Sequence, residues 1–279
     1  MCKCAVNPRS MQSKKYRVKP TDAPKRVAII GGGIGGMEAA RILALRGHEP
    51  EIYEKTSELG GVFIAAAAPE FKEKDKQLIA WQKHQLKKLG VKIHYNYEVR
   101  TDSLPSADEY IIATGAEANR IPIPGAAEYA MDATDYLLGN KQVGKDVVII
   151  GGGLTGCEIA LDLFRKGKNP QIVEMKDDLI AVKNMCLANT SYLRDCFRTN
   201  RVPVYLNAGV AEITEKSVKV NLKDGRTVEL PADSVIMSVG YHPIPLLQAA
   251  KNVHLLGDCK KVGNVRSAIW GAWDIAMKI

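Results

Sequence analysis

Two glycine clusters hold the residues of this chain whose types and spacing could do chemistry. Residues 31–36 read GGGIGG and residues 151–156 read GGGLTG. Each places glycine at its first, third and sixth positions: Gly31, Gly33 and Gly36, then Gly151, Gly153 and Gly156. An acid follows each cluster at one spacing, with seventeen residues between Gly36 and Glu54 and seventeen between Gly156 and Glu174. In such a pattern the first glycine makes a tight turn, and the second lets backbone approach a pyrophosphate. The third lets a helix pack close to a strand, and the acid accepts hydrogen bonds from ribose hydroxyls. The helix start adds unpaired amides and partial positive charge for phosphate oxygens. The implied chemistry is dinucleotide binding, twice.

The elements that must position these residues are legible around them. Apolar, β-branched runs at 27–30 and 147–150 predict strands entering the two turns, and 37–46 and 157–166 predict helices leaving them. Second strands at 51–54 and 171–174 end in the two acids, so all landmarks recur at an offset of 120. The fold class is α/β, with two Rossmann-like dinucleotide-binding domains, the second inserted into the first. Residues 71–89 predict a helix with one apolar stripe (Leu78, Ile79, Trp81, Leu86, Leu89) and a solvated lysine-rich face. Strands are expected at 91–95 and 110–113, a helix at 133–138 and a turn at 139–144. Beyond the second unit, 183–200 reads as helix. Residues 202–206, 211–214, 217–222 and 227–230 read as strands, the last two joined by Asp224 and Gly225. The strand 235–239 ends at Gly240, as 111–113 ends at Thr114 and Gly115, and these exits mark crossings between domains. The expected division is a basic arm at 1–17, a first domain of 18–138 and 246–279, and a second of 139–245.

Composition narrows the classes. Of 279 residues, 46% are hydrophobic and 25% charged, which excludes disorder as the main state. Apolar runs fall far short of the roughly 20 residues of a membrane helix. No apolar stretch follows Lys3 and Arg9, so a secretory leader is not expected. The net charge of +8 suggests nucleic acid until it is located. Residues 1–26 hold eight basic side chains against Asp22 alone, which leaves +1 for everything beyond. Neither a nucleic-acid nor a membrane partner is expected. Six cysteines at 2, 4, 157, 186, 196 and 259 form no CxxC pair. They read as reduced thiols in a cytoplasmic protein without a redox-active disulfide.

Further along, Leu59–Gly60–Gly61, Ala113–Thr114–Gly115, Ser238–Val239–Gly240 and Leu256–Gly257–Asp258–Cys259 complete an ordered set. With the two glycine turns, the set resembles the flavin-dependent pyridine-nucleotide oxidoreductases of glutathione-reductase type. The resemblance implies FAD on the first unit, held by Gly31, Gly33, Gly36, Glu54, Gly61, Thr114 and Gly115. It also implies Asp258 on the ribityl chain, with Ala268 and Ile269 in a C-terminal helix opening at 265–269 towards N1 and O2 of the flavin. On the second unit it implies NAD(P)H at Gly151, Gly153, Gly156, Glu174 and Gly240. His242 reads as a turn residue, and Trp270 and Trp273 as packing or contact surface.

Residues 4–9 (CAVNPR) resemble the segment carrying the fourth cysteine ligand of the 4Fe–4S cluster in 2-enoate reductases, 2,4-dienoyl-CoA reductases and trimethylamine dehydrogenases. In that family an FMN-bearing, old-yellow-enzyme-like barrel precedes this region. The resemblance makes Cys4 a metal ligand whose three companions are missing, and Cys2 matches no ligand position. The barrel becomes a partner, in cis or in trans. The implied reaction passes hydride from NADH to FAD, then electrons through the cluster to FMN, which reduces an activated C=C bond. Two alternatives stay open: a self-contained NADH diaphorase serving a separate partner, and a non-catalytic domain holding ADP. Asp258 speaks against the last, since ADP has no ribityl chain. NADH is expected over NADPH, because Glu174, Asp177 and Asp178 outnumber Lys176 where a 2′-phosphate would lie.

Overall fold

The computed structural model describes residues 3–181 and 186–279. Its elements begin with β1 (Arg26–Ile30), α1 (Ile34–Leu45), β2 (Glu49–Tyr53), α2 (Phe63–Ala66), α3 (Glu73–Lys88), β3 (Lys92–His94), β4 (Glu109–Ile112) and β5 (Ala116–Ala118). They continue with α4 (Ala126–Tyr129), β6 (Ala130–Asp132), α5 (Ala133–Leu137), β7 (Asp146–Ile150), α6 (Leu154–Arg165), β8 (Asn169–Val173) and α7 (Leu187–Thr199). Then come β9 (Val204–Tyr205), β10 (Gly209–Ile213), β11 (Ser217–Asn221), β12 (Thr227–Pro231), β13 (Ser234–Met237), β14 (Tyr241–Pro243), β15 (Val253–Leu255) and α8 (Val265–Ala276). The helix expected at 183–200 starts at Leu187 among the described residues, and positions 182–185 lie outside them, as does Cys2.

The chain divides into two units. Unit 1 comprises Met1–Ala67, Glu73–Glu117 and Tyr241–Ile279; unit 2 comprises Ala68–Lys72 and Ala118–Gly240. The expected boundary at 139 is thus too late, because β6 pairs in parallel with β13 and belongs to the second sheet. The boundary at 245 is also too late: the Thr114 hydroxyl donates to Ile244 O at 2.7 Å, holding that segment in unit 1. Residues 68–72 were expected in the first domain. They sit in unit 2, where Lys72 pairs with Glu158 at 2.5 Å and Arg165 lies over the Phe71 ring.

Unit 1 is built on a five-stranded parallel sheet in the order β15-β4-β1-β2-β3. Ile29, Ile52 and Ile111 point to the face covered by α1, α3 and α8, where Met37, Leu43, Leu86, Ile269 and Trp273 complete the core. Each such side chain, fully buried, contributes about 1.5–3 kcal/mol before entropy is counted. Ala28, Ile30 and Ile112 point the other way, towards Val99 and Cys259. Unit 2 repeats the plan as β6-β13-β7-β8-β9, again parallel. Val147, Ile149 and Ile172 face α6 and α7, and Val148, Ile150 and Val173 face the antiparallel sheet β10-β11-β12.

The basic arm is no loose tail. Tyr16 is buried, packs edge-on against Trp270 and Trp273, and its hydroxyl donates to Asp274 at 2.9 Å. Among the described residues no helix is long and apolar enough to cross a membrane.

Candidate cofactor-binding sites

In each parallel sheet the connections reverse direction beside the central strand, and ligands of such sheets bind in the crevice beyond the carboxyl ends there. The two glycine turns occupy that place. Gly31 and Gly151 adopt φ of +110° and +107°, a region that strains any residue with a Cβ. A Cβ at either would strike a neighbouring carbonyl, Ala113 O in unit 1 and Ser238 O in unit 2. One at Gly36 or Gly156 would strike the carbonyl of Gly31 or Gly151. At Gly33 and Gly153, by contrast, no heavy atom of the described residues beyond the adjoining chain lies within 4 Å of where a Cβ would stand. The open side of each turn is therefore the side a pyrophosphate needs. Helices α1 and α6 begin directly after, without a side-chain cap or an acid in the first turn. Their first amides face no competing anion of their own.

Glu54 and Glu174 are buried at the ends of β2 and β8. Oε2 of each accepts the amide of the middle glycine, Gly32 at 2.8 Å and Gly152 at 2.6 Å. Oε1 of Glu54 accepts the Thr56 amide and hydroxyl, whereas Oε1 of Glu174 accepts the Lys176 amide. Each carboxylate is fixed against its turn with acceptor capacity left for a ribose. Gly60 and Gly61 have φ of +132° and +57°, and the Gly60 amide donates to Gly32 O at 2.9 Å, which brings the 59–61 segment against the turn.

Asp258 follows β15 and is half-buried, with Oδ1 accepting the Gly263 amide at 2.9 Å. Burial pushes its carboxyl above the ordinary carboxylate range, partly opposed by that amide. Next to it Cys259 is buried, its thiol donating to Ile112 O at 2.8 Å, which ties the segment to β4. Helix α8 opens at Val265, as the sequence suggests, behind a capping box of Asn264 and Ser267. The Ala268 amide donates to Asn264 O at 3.1 Å, and Ile269 is a core side chain. The first-turn amides without a helical acceptor or cap are those of Val265 and Arg266.

Gly115 and Gly240 both carry positive φ, +79° and +87°, where the chain leaves β4 and β13. Asn119 Nδ2 donates to Val239 O at 3.2 Å beside the latter. Cys4 is half-buried, and its carbonyl accepts the Trp270 indole N–H at 3.0 Å. Among the described residues no group of three or more His, Cys, Asp or Glu could hold a metal ion. A 4Fe–4S cluster needs four thiolates, so these residues do not complete one.

Several contributors escaped the sequence reading. Glu38 lies buried in α1, accepting two bonds from Arg41 at 2.6 and 3.0 Å, the Trp273 indole at 2.7 Å and Gln82 at 3.3 Å. Its counterpart at the offset of 120 is Glu158, so the repeat could have revealed it. Ile180 stands where Gly60 stands in unit 1. It donates to Gly152 O at 2.8 Å from a φ of +53°, and the change of residue type hid the equivalence.

Two dinucleotide-type sites on two parallel sheets define a class, the flavin- and nicotinamide-linked oxidoreductases. The chain matches the pyridine nucleotide-disulphide oxidoreductase family over residues 7–104 and 103–261, and it belongs to that family. It is 37% identical to the cinnamate reductase of Clostridium sporogenes over 99% of this chain and 42% of that protein. It is 31% identical to the NADH oxidase of Thermoanaerobacter brockii, over 99% of this chain and 44% of that protein. The structure of a 2-naphthoyl-CoA reductase in complex with 2-naphthoyl-CoA superposes with a TM-score of 0.89 at 27% identity, covering 99% of this chain and 43% of that one. The thioredoxin reductase of T. acidophilum, at 21% identity and a TM-score of 0.72, shares the fold over 91% of this chain and 97% of its own. The chain spans less than half the length of the reductase and oxidase relatives it matches. Within those larger proteins it corresponds to the part that matches the pyridine nucleotide-disulphide oxidoreductase family.

Proposed function

We propose that this chain is the NADH:FAD oxidoreductase module of an enoate-reductase-like enzyme, delivering electrons to an FMN-bearing barrel in cis or in trans. The observation that carries the reading is a turn-and-carboxylate cradle built twice, with Asp258 and α8 added to the first copy alone. In this reading unit 1 binds FAD through Gly31, Gly33, Gly36, Glu54, Gly61, Thr114, Gly115 and Asp258, and α8 turns its first amides towards the isoalloxazine. Unit 2 binds NADH through Gly151, Gly153, Gly156, Glu174 and Gly240. Bound FAD would supply a hydride acceptor at N5. Glu54 and Glu174 orient the two ribose groups. The half-buried Asp258 carboxyl holds a polyol, and the α8 amides favour negative charge on the pyrimidine side of the flavin. Cys4 offers one thiolate to a cluster completed by residues outside this chain. The final acceptor is an activated C=C bond, reduced in the barrel. A cytoplasmic setting suits the scattered thiols.

The test is optical. Protein equilibrated with FAD and desalted is expected to retain flavin bands, and anaerobic NADH is expected to bleach them. Retention of ADP without flavin, or a flavin that NADH leaves oxidised, would defeat the proposal.

A further inference from the structure

Beside the second glycine turn lies a charge pair that the reading above does not use. Arg194 of α7 donates from Nε and Nη2 to the two oxygens of Asp178, at 2.9 and 2.8 Å, and from Nη2 to the Leu179 carbonyl. The Leu179 side chain abuts Gly152, and the next amide, Ile180 N–H, donates to Gly152 O at 2.8 Å. The pair is therefore anchored to the same turn that Glu174 holds. Of the other acids after β8, Glu174 accepts two amides; Asp177 is exposed, as Asp178 is, and what sets Asp178 apart is its two bonds from Arg194.

A guanidinium with Nε and Nη2 in one plane is the fork that matches a phosphate as well as a carboxylate. We propose that Asp178 is an internal stand-in for a 2′-phosphate. By filling the Arg194 fork, it makes unit 2 reject NADPH and accept NADH, an inference that rests on unit 2 being the nicotinamide-nucleotide site. A 2′-phosphate seeking Arg194 must break two charge-assisted hydrogen bonds and leave Asp178 unpaired beside a dianion. The 2′-hydroxyl of NADH asks nothing of the pair. Discrimination thus comes from a repulsive, pre-occupied element rather than from an added attraction. This also revises the local charge balance, since Arg194 offsets Asp178 and the excess of negative charge is smaller than residues 174–178 alone suggest.

The experiment is calorimetric titration of the FAD-loaded protein with NAD+ and with NADP+. It uses wild type, Asp178→Asn and the double variant Asp178→Asn/Arg194→Gln. Asp178→Asn is expected to tighten NADP+ about tenfold and NAD+ less than about threefold. The double variant should lose that gain. The gain should also shrink below about pH 6, where the 2′-phosphate takes up a proton. Equal tightening of both nucleotides, a gain that survives loss of Arg194, or a wild type preferring NADP+ would overturn the inference. A wild type that binds neither nucleotide would overturn the site reading with it, and so tells the two failures apart.

Discussion

The two units share a sheet order, a glycine turn and a buried carboxylate, yet they support the same landmarks differently. In unit 1 the glutamate two residues past the last motif glycine, Glu38, is buried and saturated by Arg41, Gln82 and Trp273. In unit 2 the equivalent Glu158 is partly exposed and pairs with Lys72. The turn after the helix differs as well. His48 of unit 1 is buried, with neither ring nitrogen hydrogen-bonded among the described residues, while Lys168 at the same place in unit 2 donates to Val143 O and Gly144 O, both at 2.8 Å. Unit 1 adds Asp258 and the capped α8; unit 2 adds the β10-β11-β12 sheet over its far face. A glycine turn and an acid therefore suffice to shape a nucleotide cradle, and what each unit does beyond that depends on what is packed around it.

The largest expected difference lies at the helix glutamates. Glu38→Ala removes the carboxylate that pairs with the largely buried Arg41 guanidinium and accepts the Trp273 indole, and should cost about 3–5 kcal/mol. Glu158→Ala breaks a partly exposed ion pair and should cost about 1 kcal/mol or less. Urea unfolding of the two variants measures both, and similar losses would show that the two helices are held alike.

The next effect is at Asp258, which has no counterpart in unit 2. Asp258→Ala should weaken FAD about ten- to a hundredfold, roughly 1.4–2.8 kcal/mol, while ADP changes less than about twofold. Parallel titrations with both ligands check it; equal losses would remove Asp258 from the ribityl chain.

The smallest effect is the pH response of unit 1. Burial, with Arg46 and Lys25 nearby, holds the His48 imidazole below its ordinary value of 6.5. Between its folded and unfolded values the unfolded chain binds the proton and the folded chain does not, so stability falls as pH drops below about 6.5. His48→Leu should therefore be more stable relative to wild type at pH 5.5 than at pH 7.5, by on the order of 1 kcal/mol. An unchanged difference across that range would mean that His48 finds a partner in solution.

The cradles were legible because their physics is local. A β-branched run, a glycine turn, a helix and an acid follow one another within about thirty residues in a βαβ unit. The parts that were not legible are those that distant chain supplies. The β6 strand is three residues long and has no apolar run, so only its pairing with β13 reveals it, and the domain boundary was misplaced with it. Arg194 reaches Asp178 from another helix, and Gln82 reaches Glu38 from α3. Which amides of α8 stay free is set by the capping residue Asn264, a detail of local geometry that composition does not show.

The position of the outer strand has a consequence for how the chain acquires its shape. In unit 2 the strand beside β13 is β6, so every strand of that sheet lies between residues 130 and 237. In unit 1 the corresponding strand is β15, at residues 253–255, and it must find β4 at 109–112 after all of unit 2 has been made. Pairing across so long a stretch closes a large loop, and loop closure slows assembly more than it weakens the product. During synthesis from the N-terminus, unit 2 can therefore close while the first sheet still lacks an edge and the α8 face of α1 stays uncovered. The flavin-type cradle is finished last, by the segment that carries Asp258.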